Sequence, residues 1–339
     1  MTSRPLIEDA PLVCLDWDKA NELVDDAQKI IIVTHVHPDG DAIGSMMGLT
    51  MALREQGKTV LSVIDGGMPR GFAFVPGSET IQDNLKGFVP DLVISTDASD
   101  RERMGKVGES ALAHGTPFIQ LDHHQTNLIF GDVNLVDART VAAAEGVLDW
   151  LDQRGWPLSP DVAQCLLTGL VTDTLCFRTS NVTGIVLGKA QRLMEAGADL
   201  AAVVQRTVVR KSAKLMRLHG EVLSRIALED GVIWATVTAE DFEAAGMDVG
   251  AYTGLSSYLI QAEEAMISVT FTEMGDGRID VSMRAVPGFN VSGIALELGG
   301  GGHVQASGCG LTGMTIQEGV ALLIPKLKAE AARGALIYT

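Results

Sequence analysis

Aromatic and basic residues are both scarce in this sequence. Aromatic side chains account for 5% of the 339 residues, and lysine plus arginine number 26 against 43 aspartate and glutamate residues. The resulting formal net charge of −17 argues against duplex DNA as a partner, because a non-specific grip on the double helix needs a basic surface. A small phosphorylated ligand is still compatible with this charge, since bound metal ions reverse the sign of the local field.

Cysteines and long apolar runs are also few. None of the four cysteines belongs to a C-x-x-C pair, which excludes a zinc ribbon or redox dithiol of that spacing and favours reduced thiols in a cytosolic protein. They are Cys14, Cys165, Cys176 and Cys309. No apolar run approaches the length of a membrane span, and Glu8 and Asp9 interrupt the first residues. We therefore expect a cytoplasmic protein with no secretory signal and no membrane partner.

The sequence is instead rich in short apolar segments. Hydrophobic residues make up 46% of the chain, and its length suggests about two domains. In the first part, β-branched runs alternate with helical patterns, which predicts an α/β fold with a parallel sheet and helices on both faces. The predicted strands span 29–34, 59–64, 91–96, 117–121 and 132–136. The predicted helices span 42–56, 141–153 and 161–175.

A different pattern begins near residue 180, where helices precede strands instead of alternating with them. The stretch Met274–Gly277 is typical of a hairpin turn between two of these strands. The helices and strands predicted here span, in chain order, 183–196, 213–226, 232–237, 265–273, 278–285, 291–298 and 315–332. We predict an N-terminal domain over 1–185, a helical connector over 186–228 and a smaller α+β domain over 229–339.

The first predicted strand is followed by a histidine and two aspartates at close spacing, His35, Asp39 and Asp41. In open α/β sheets, ligands bind at the carboxyl ends of the strands. Two carboxylates this close repel one another unless a cation accompanies them, and mixed imidazole and carboxylate ligands suit Mn²⁺, Fe²⁺, Co²⁺ or Zn²⁺ better than Ca²⁺. The alternative is a structural Asp-Gly turn in which one aspartate caps the following helix.

Acids and histidines recur where other predicted strands end. Asp97 follows one strand, and Asp122, His123 and His124 follow another. Asp173 lies on an apolar helix, where a charge needs a partner. Such groups at three strand ends, together with an acid on an apolar helix, favour a dinuclear metal centre over a set of unrelated turns.

The series H-x-x-x-D-x-D, D, D-H-H and D resembles the motifs of the DHH phosphoesterases. A later stretch, GGGGHVQASG over Gly299 to Gly308, resembles the G-G-G-H motif of the DHH-associated C-terminal domain. The two resemblances together cover nearly the whole chain. Its size is similar to that of the compact two-domain branch of the family, which includes nanoRNA phosphodiesterases and pAp phosphatases.

This resemblance implies a role for each matching residue. The implied metal ligands are His35 and Asp39 for one ion, Asp41, His123 and Asp173 for a second, and Asp97 as a bridge between them. Asp97, Asp122 and His124 are the implied catalytic residues, with Asp122 orienting a neighbour and His124 facing the substrate phosphate. The implied substrate-binding residues are Arg284, Gly300, Gly301, Gly302 and His303, the glycines letting backbone amides approach a phosphate. Mn²⁺ is the expected ion, with Mg²⁺, Co²⁺, Fe²⁺ and Zn²⁺ as alternatives, and the resemblance also suggests a homodimer.

The function that the resemblance implies is hydrolysis of phosphoester bonds in short nucleotides by a metal-bridged hydroxide. Short RNA, linear dinucleotides and pAp are the implied substrates. One alternative is a phosphatase for a non-nucleotide phosphoester or for polyphosphate. An alternative of another class is a nucleotide-binding sensor without catalysis, and turnover separates it from an enzyme.

Overall fold

The computed structural model describes residues 10–113 and 115–334, apart from the side chain of His303. The chain forms two compact units that divide between Arg210 and Lys211. This division falls inside the segment predicted as a connector. No helix among the described residues is both long and apolar enough to cross a membrane.

The first unit is built on a six-stranded sheet with the strand order β1-β6-β5-β4-β2-β3. Its strands are β1 (Val13–Leu15), β2 (Lys29–Val33), β3 (Thr59–Val63), β4 (Leu92–Thr96), β5 (Phe118–Asp122) and β6 (Val133–Asp137). Its helices are α1 (Trp17–Asp26), α2 (Gly40–Glu55), α3 (Gly105–Leu112), α4 (Ala143–Arg154), α5 (Pro160–Asp173), α6 (Gly184–Glu195) and α7 (Leu200–Val204). Strands β2 to β6 are parallel, and β1 adds an antiparallel edge to β6.

Both faces of this sheet are covered, because successive β2 residues enter different cores. Ile30 and Ile32 pack into the core that contains α2, α4 and α5, whereas Ile31 packs with Val107 of α3 on the other face. The predicted parallel sheet with helices on both faces is therefore confirmed. Neither β1 nor α1 was predicted, because β1 has three residues and α1 buries only Ala20 and Val24.

Helices α2 and α5 cross at glycines that allow their backbones to touch. A Cβ atom on Gly44 would lie 2.5 Å from the carbonyl oxygen of Cys165, and one on Gly40 would lie 2.4 Å from Cγ2 of Thr172. Only glycine permits so close an approach. The crossing brings the first turn of α2 beside the last turn of α5.

The second unit has a six-stranded sheet with the order β11-β12-β10-β9-β8-β7. Its strands are β7 (Ala227–Glu229), β8 (Val232–Val237), β9 (Ile267–Glu273), β10 (Ile279–Ala285), β11 (Gly301–His303) and β12 (Ala306–Leu311). Its helices are α8 (Ala213–Leu223), α9 (Ala239–Ala245), α10 (Leu255–Leu259), α11 (Ser292–Glu297) and α12 (Ile316–Gly334). Only β8 and β9 are parallel, which gives the predicted α+β unit. The predicted hairpin turn is also present, since the amide of Met274 donates to the carbonyl of Arg278 at 2.8 Å.

Candidate metal centre

Three parallel strands and two helix ends deliver acids and histidines to one place in the first unit. Strands β5, β4 and β2 are neighbours in the sheet, so the residues after their carboxyl ends lie side by side. These residues are His35 after β2, Asp97 after β4, and Asp122, His123 and His124 at the end of β5. The start of α2 adds Asp39 and Asp41, and the end of α5 adds Asp173.

These residues form three groups, and the third shares residues with the other two. Within each group, one potential ligand atom from every residue lies within 4.8 Å of those of the other residues. The groups are His35, Asp39 and Asp97; Asp41, His123 and Asp173; and Asp97, Asp122, His123 and His124. The sequence predicted all eight of these residues for the site.

Asp97 belongs to the first group and also contacts the second. One of its carboxylate oxygens faces His35 of the first group, and the other faces His123 of the second. Oδ2 is 3.5 Å from Nε2 of His35, and Oδ1 is 3.5 Å from Nε2 of His123. Oδ1 is buried and accepts no hydrogen bond from any described residue. The residue has a φ of +58°, in the left-handed region that aspartate tolerates better than most side chains. The backbone turn thus aims both oxygens at neighbouring ligand groups.

Asp39 caps helix α2 while it contributes to the first group. Its Oδ1 accepts from the amides of Asp41 at 2.9 Å and Ala42 at 3.1 Å. The helix begins at Gly40, two residues before the predicted start, because this cap satisfies its first amides. A structural cap and a metal ligand are therefore compatible roles for Asp39, because Oδ1 serves the cap and Oδ2 is available to a metal ion.

Asp41 is fully buried, and both of its oxygens accept backbone hydrogen bonds from the start of α4. Ala143 donates to Oδ2 at 2.6 Å and Ala144 donates to Oδ1 at 2.9 Å. A helix N-terminus favours an anion through these unpaired amides and the helix dipole. Sequence reasoning missed this contact, since the two residues are 102 and 103 positions away and carry no polar side chain.

Asp122 and His124 form a close pair next to Asp97. Nδ1 of His124 lies 2.8 Å from Oδ1 of Asp122 and 3.6 Å from Oδ1 of Asp97. The other oxygen of Asp122 accepts from Nδ2 of Asn127 at 2.5 Å. Asp122 thus orients its neighbour, and Asn127 is a further member of the site that no sequence motif singled out.

The second unit contains the residues predicted to bind substrate. Arg284 on β10 is half-buried, donates to the carbonyl of Met283 at 2.8 Å, and pairs with no carboxylate among the described residues. Gly300 and Gly302 pack against β12. A Cβ atom on Gly300 would lie 2.1 Å from the carbonyl oxygen of Gly308, and one on Gly302 would lie 2.5 Å from the carbonyl oxygen of Ala306. This packing gives both glycines a structural reason that the sequence did not suggest. Gly301 has open space at its Cβ position, and the side chain of His303 lies outside the described part of the chain.

Comparison with known proteins places these features in a family. Residues 29–170 match the "DHH family, N-terminal domain" and residues 230–332 match the "DHHA1 domain". The chain is 34% identical over 305 residues to the "Bifunctional oligoribonuclease and PAP phosphatase NrnA" of Thermus thermophilus, covering 90% of each protein. This chain belongs to the DHH phosphoesterase family.

Two further relatives support the match over both DHH-family domains. The Bacillus subtilis protein with the same name is 27% identical and is covered over 89% of its length, against 83% of this chain. An exopolyphosphatase-related protein from Bacteroides fragilis superposes with a TM-score of 0.87 at 25% identity, with 93% of this chain and 96% of that chain covered. The similarity therefore extends over most of the DHH and DHHA1 domains.

The pKa shifts of Asp41, Asp173 and His123 in the DHH domain fit a cluster that binds cations. Burial together with Asp97 and Asp173 raises the pKa of Asp41 well above its usual range. Burial together with Asp39 and Asp97 raises the pKa of Asp173 to about 6. Burial alone would lower the pKa of His123, but Asp173, Asp97 and Asp41 outweigh it and raise this pKa well above its usual value.

Each of these groups binds its proton more strongly than it would in solution, and a divalent ion would displace such protons. The buried, unbonded Oδ1 of Asp97 and the mixed carboxylate and imidazole donors match what such an ion requires. The DHH domain therefore has ligands suited to divalent metal ions.

Proposed function

We propose that this protein hydrolyses phosphoester bonds in short nucleotides with two divalent metal ions, and that Mn²⁺ is its native ion. The observation that carries the proposal is the position of Asp97, whose two oxygens face two separate ligand groups. Bound there, the ions would lower the pKa of a shared water and offset the negative charge of a phosphate. The relatives named as oligoribonuclease and PAP phosphatase support the same chemistry.

The two ligand groups suggest how the metal sites are divided. We assign His35 and Asp39 to one ion and Asp97 to both. The second ion takes Asp41, His123 and Asp173. Because most of these side chains are buried and each comes from a rigid element end, little rearrangement is needed to bind the ions.

His124 is the group that we assign to the reacting phosphate. Its Nδ1 is hydrogen-bonded to Asp122, and we assign Nε2 of the protonated imidazole to donate to a phosphate oxygen or to the leaving group. Asp122 acts through His124, because its other oxygen is held by Asn127. The pair thus sets the orientation of the imidazole and the nitrogen that faces Asp122.

Arg284 supports a phosphorylated substrate for the second unit. Burial lowers the pKa of this guanidinium, and no carboxylate among the described residues offsets its charge. An anionic group of the substrate would supply the missing partner. We assign to the same substrate Gly300, Gly301, Gly302 and His303. The net charge of −17 favours short substrates, since long polyanions would be repelled.

Turnover on a defined panel tests the proposal. The panel contains pAp, pApA, pGpG, an RNA pentamer, a long RNA and polyphosphate, each with Mn²⁺ and with Mn²⁺ plus excess chelator. We expect chelator-sensitive cleavage of the short nucleotides only. Cleavage of polyphosphate alone would replace the proposal with the polyphosphatase alternative, and Mn²⁺ binding without turnover on any substrate would favour a nucleotide sensor.

Two arginine variants separate substrate recognition from chemistry. Arg284→Gln should raise KM for pAp by about 10-fold or more, because a charge-assisted hydrogen bond is lost. The control is Arg278→Gln, whose arginine is exposed and paired with Asp276 in the β9–β10 hairpin, and it should leave KM unchanged. Equal effects of both variants would overturn the role of Arg284. A homodimer and a cytoplasmic location stay predictions from the sequence.

A further inference from the structure

The start of helix α4 holds Asp41 but has no side-chain cap of its own. Its N-cap residue is Ala142, and the amides of Ala143 and Ala144 donate to the carboxylate of Asp41 instead. The direction of that carboxylate therefore depends on how the turn before α4 is fixed. A shift of this turn would move the amides and the carboxylate together.

Glu145 fixes the turn from inside the helix. It is the third residue of α4, is 5% exposed, and its Oε2 accepts from the amide of Val141 at 2.8 Å. This hydrogen bond closes the segment from Val141 to Glu145, which contains both amides that bind Asp41. Glu145 thus acts on the same turn as Asp41.

A lysine from a third helix neutralises Glu145. Nζ of Lys189 on α6 lies 2.7 Å from Oε1 of Glu145 and 2.6 Å from Oδ1 of Asp149. A buried carboxylate without such a partner would be costly. The pairing lets a glutamate occupy this buried position and hold the turn before α4.

We propose that Glu145 and Lys189 are positioning residues for the metal centre: they orient the Ala143 and Ala144 amides, and through them the Asp41 carboxylate. The inference rests on the proposed function only in taking Asp41 as a metal ligand. It predicts that the strength of metal binding depends on an ion pair that touches neither metal nor substrate.

Direct measurement of Mn²⁺ binding tests this inference. Isothermal titration of the metal-free protein with Mn²⁺ alone is compared for the wild type, Glu145→Ala, Glu145→Gln and Lys189→Met. We expect Glu145→Ala to weaken one of two binding events by about 10- to 100-fold, the usual effect of losing a group that orients a ligand. Glu145→Gln keeps an acceptor for the Val141 amide, so it should recover part of the affinity.

A matched control lies on the same two helices. Asp152 of α4 and Arg192 of α6 form an exposed ion pair seven residues along α4 from Glu145 and three residues along α6 from Lys189. Asp152→Asn removes a link between α4 and α6 without touching the turn that holds Asp41. It should leave Mn²⁺ affinity unchanged, whatever it does to Tm.

The outcomes separate this inference from the proposed function. If the wild type binds two Mn²⁺ ions and the Glu145 variants bind them equally well, the positioning role is wrong and the metal centre stands. If the wild type binds no divalent ion, both fail. If Glu145→Ala does not fold, the double variant Glu145→Gln/Lys189→Met removes both charges together. It should still bind one ion more weakly than the wild type. Wild-type affinity in this double variant would also overturn the inference.

Discussion

Nδ1 of His124 donates a hydrogen bond to the buried carboxylate of Asp122 over 2.8 Å, and this pair fixes which imidazole nitrogen faces the carboxylate. Burial alone would raise the pKa of Asp122, but its hydrogen bond to His124 and the charges of both neighbouring histidines hold the pKa below its usual range. The carboxylate is therefore an anion at neutral pH, and Nδ1 of His124 carries a proton. In our proposal, Nε2 is the nitrogen that acts on the substrate.

Asp122→Asn should reverse this arrangement. Asn127 donates to one oxygen of residue 122, so an asparagine there would keep its oxygen toward Asn127 and turn its NH₂ group toward Nδ1 of His124. The variant would lose the acceptor for the Nδ1 proton, so the doubly protonated imidazolium that donates from Nε2 would no longer be supported. We expect kcat to fall by about 10- to 100-fold with a shifted pH profile.

Asp132→Asn is the matched control. Among the described residues, Asp132 accepts a hydrogen bond only from the amide of Phe118, and this contact lies at the start of β5, the end of that strand away from the metal centre. It should leave kcat and the pH profile unchanged. Wild-type kcat in Asp122→Asn would show that the orientation of His124 does not limit the reaction.

Removing metal should destabilise the protein, because the acids of the first unit are then left without cations. Saturating Mn²⁺ at about 100 times its Kd should add about 2.7 kcal/mol to the free energy of unfolding. Thermal denaturation with chelator and with graded Mn²⁺ measures this gain as a rise in Tm.

Asp97→Asn should remove most of that gain. Asparagine tolerates the left-handed backbone at this position, so the substitution changes charge with little strain. A Tm that rises equally with Mn²⁺ in Asp97→Asn and in the wild type would contradict a bridging role for Asp97.

The metal-free protein should become less stable as pH rises from about 4 to about 7.5. The pKa of Asp173 is raised to about 6, so the folded state binds more protons than the unfolded state above the usual aspartate pKa of 3.8. Burial would lower the pKa of His35 and of His123, but neighbouring aspartates outweigh burial and raise both pKa values. The charged forms of these histidines therefore stabilise the folded state below about pH 6.5, the usual histidine pKa, and this stability is lost as the pH rises further. Asp97 works in the opposite direction, because its pKa is lowered, but its contribution is lost only below about pH 4.

Mn²⁺ should reverse this trend, because binding displaces the same protons. We expect the Mn²⁺-induced rise in Tm to be larger at pH 7.5 than at pH 5.5, and the binding enthalpy to vary with the ionisation enthalpy of the buffer. A binding enthalpy independent of the buffer between pH 6 and 7 would show that no protons are released.

The glycine crossing of α2 and α5 should matter for metal binding as well as for stability. In Gly44→Ala the new methyl group would meet the backbone of Cys165 and Gly169, which cannot move independently of α5. We expect a loss of about 1–3 kcal/mol and weaker Mn²⁺ binding, because Asp41 and Asp173 lie on the two helices forced apart.

Gly188→Ala provides the comparison, since Gly188 is an exposed position of α6 with open space at its Cβ. This substitution should be neutral or stabilising by up to about 1 kcal/mol, with unchanged Mn²⁺ affinity. An equal loss of stability in both variants would mean that the close crossing is not the cause.

The strands that surround the metal centre were predictable because each is a short apolar run followed by a polar residue. His35, Asp97 and His123 could be placed together from this pattern, since parallel strands end at one sheet edge. The edge strand β1 and the short strand β11 were not predictable. Each has three residues, and each pairs with a single neighbouring strand.

Some contacts of the site leave no mark in the sequence. Backbone amides that bind Asp41 come from two alanines, and any residue type supplies the same donor. The hydrogen bond from Asn127 to Asp122 depends on how the loop after β5 folds back. Likewise, the close packing of Gly300 and Gly302 against β12 could not be predicted, because it depends on how the chain folds back onto that strand.

The sequence alone thus determined which side chains could bind metal and on which elements they lie, because strand periodicity and ligand chemistry are local properties. Tertiary structure decided how those side chains are aimed. The oxygens of Asp97 face two groups because of a left-handed turn, and Asp41 is held by a helix that starts about a hundred residues later. Such directions come from packing between distant elements, where backbone amides and glycine contacts act without any distinctive side chain.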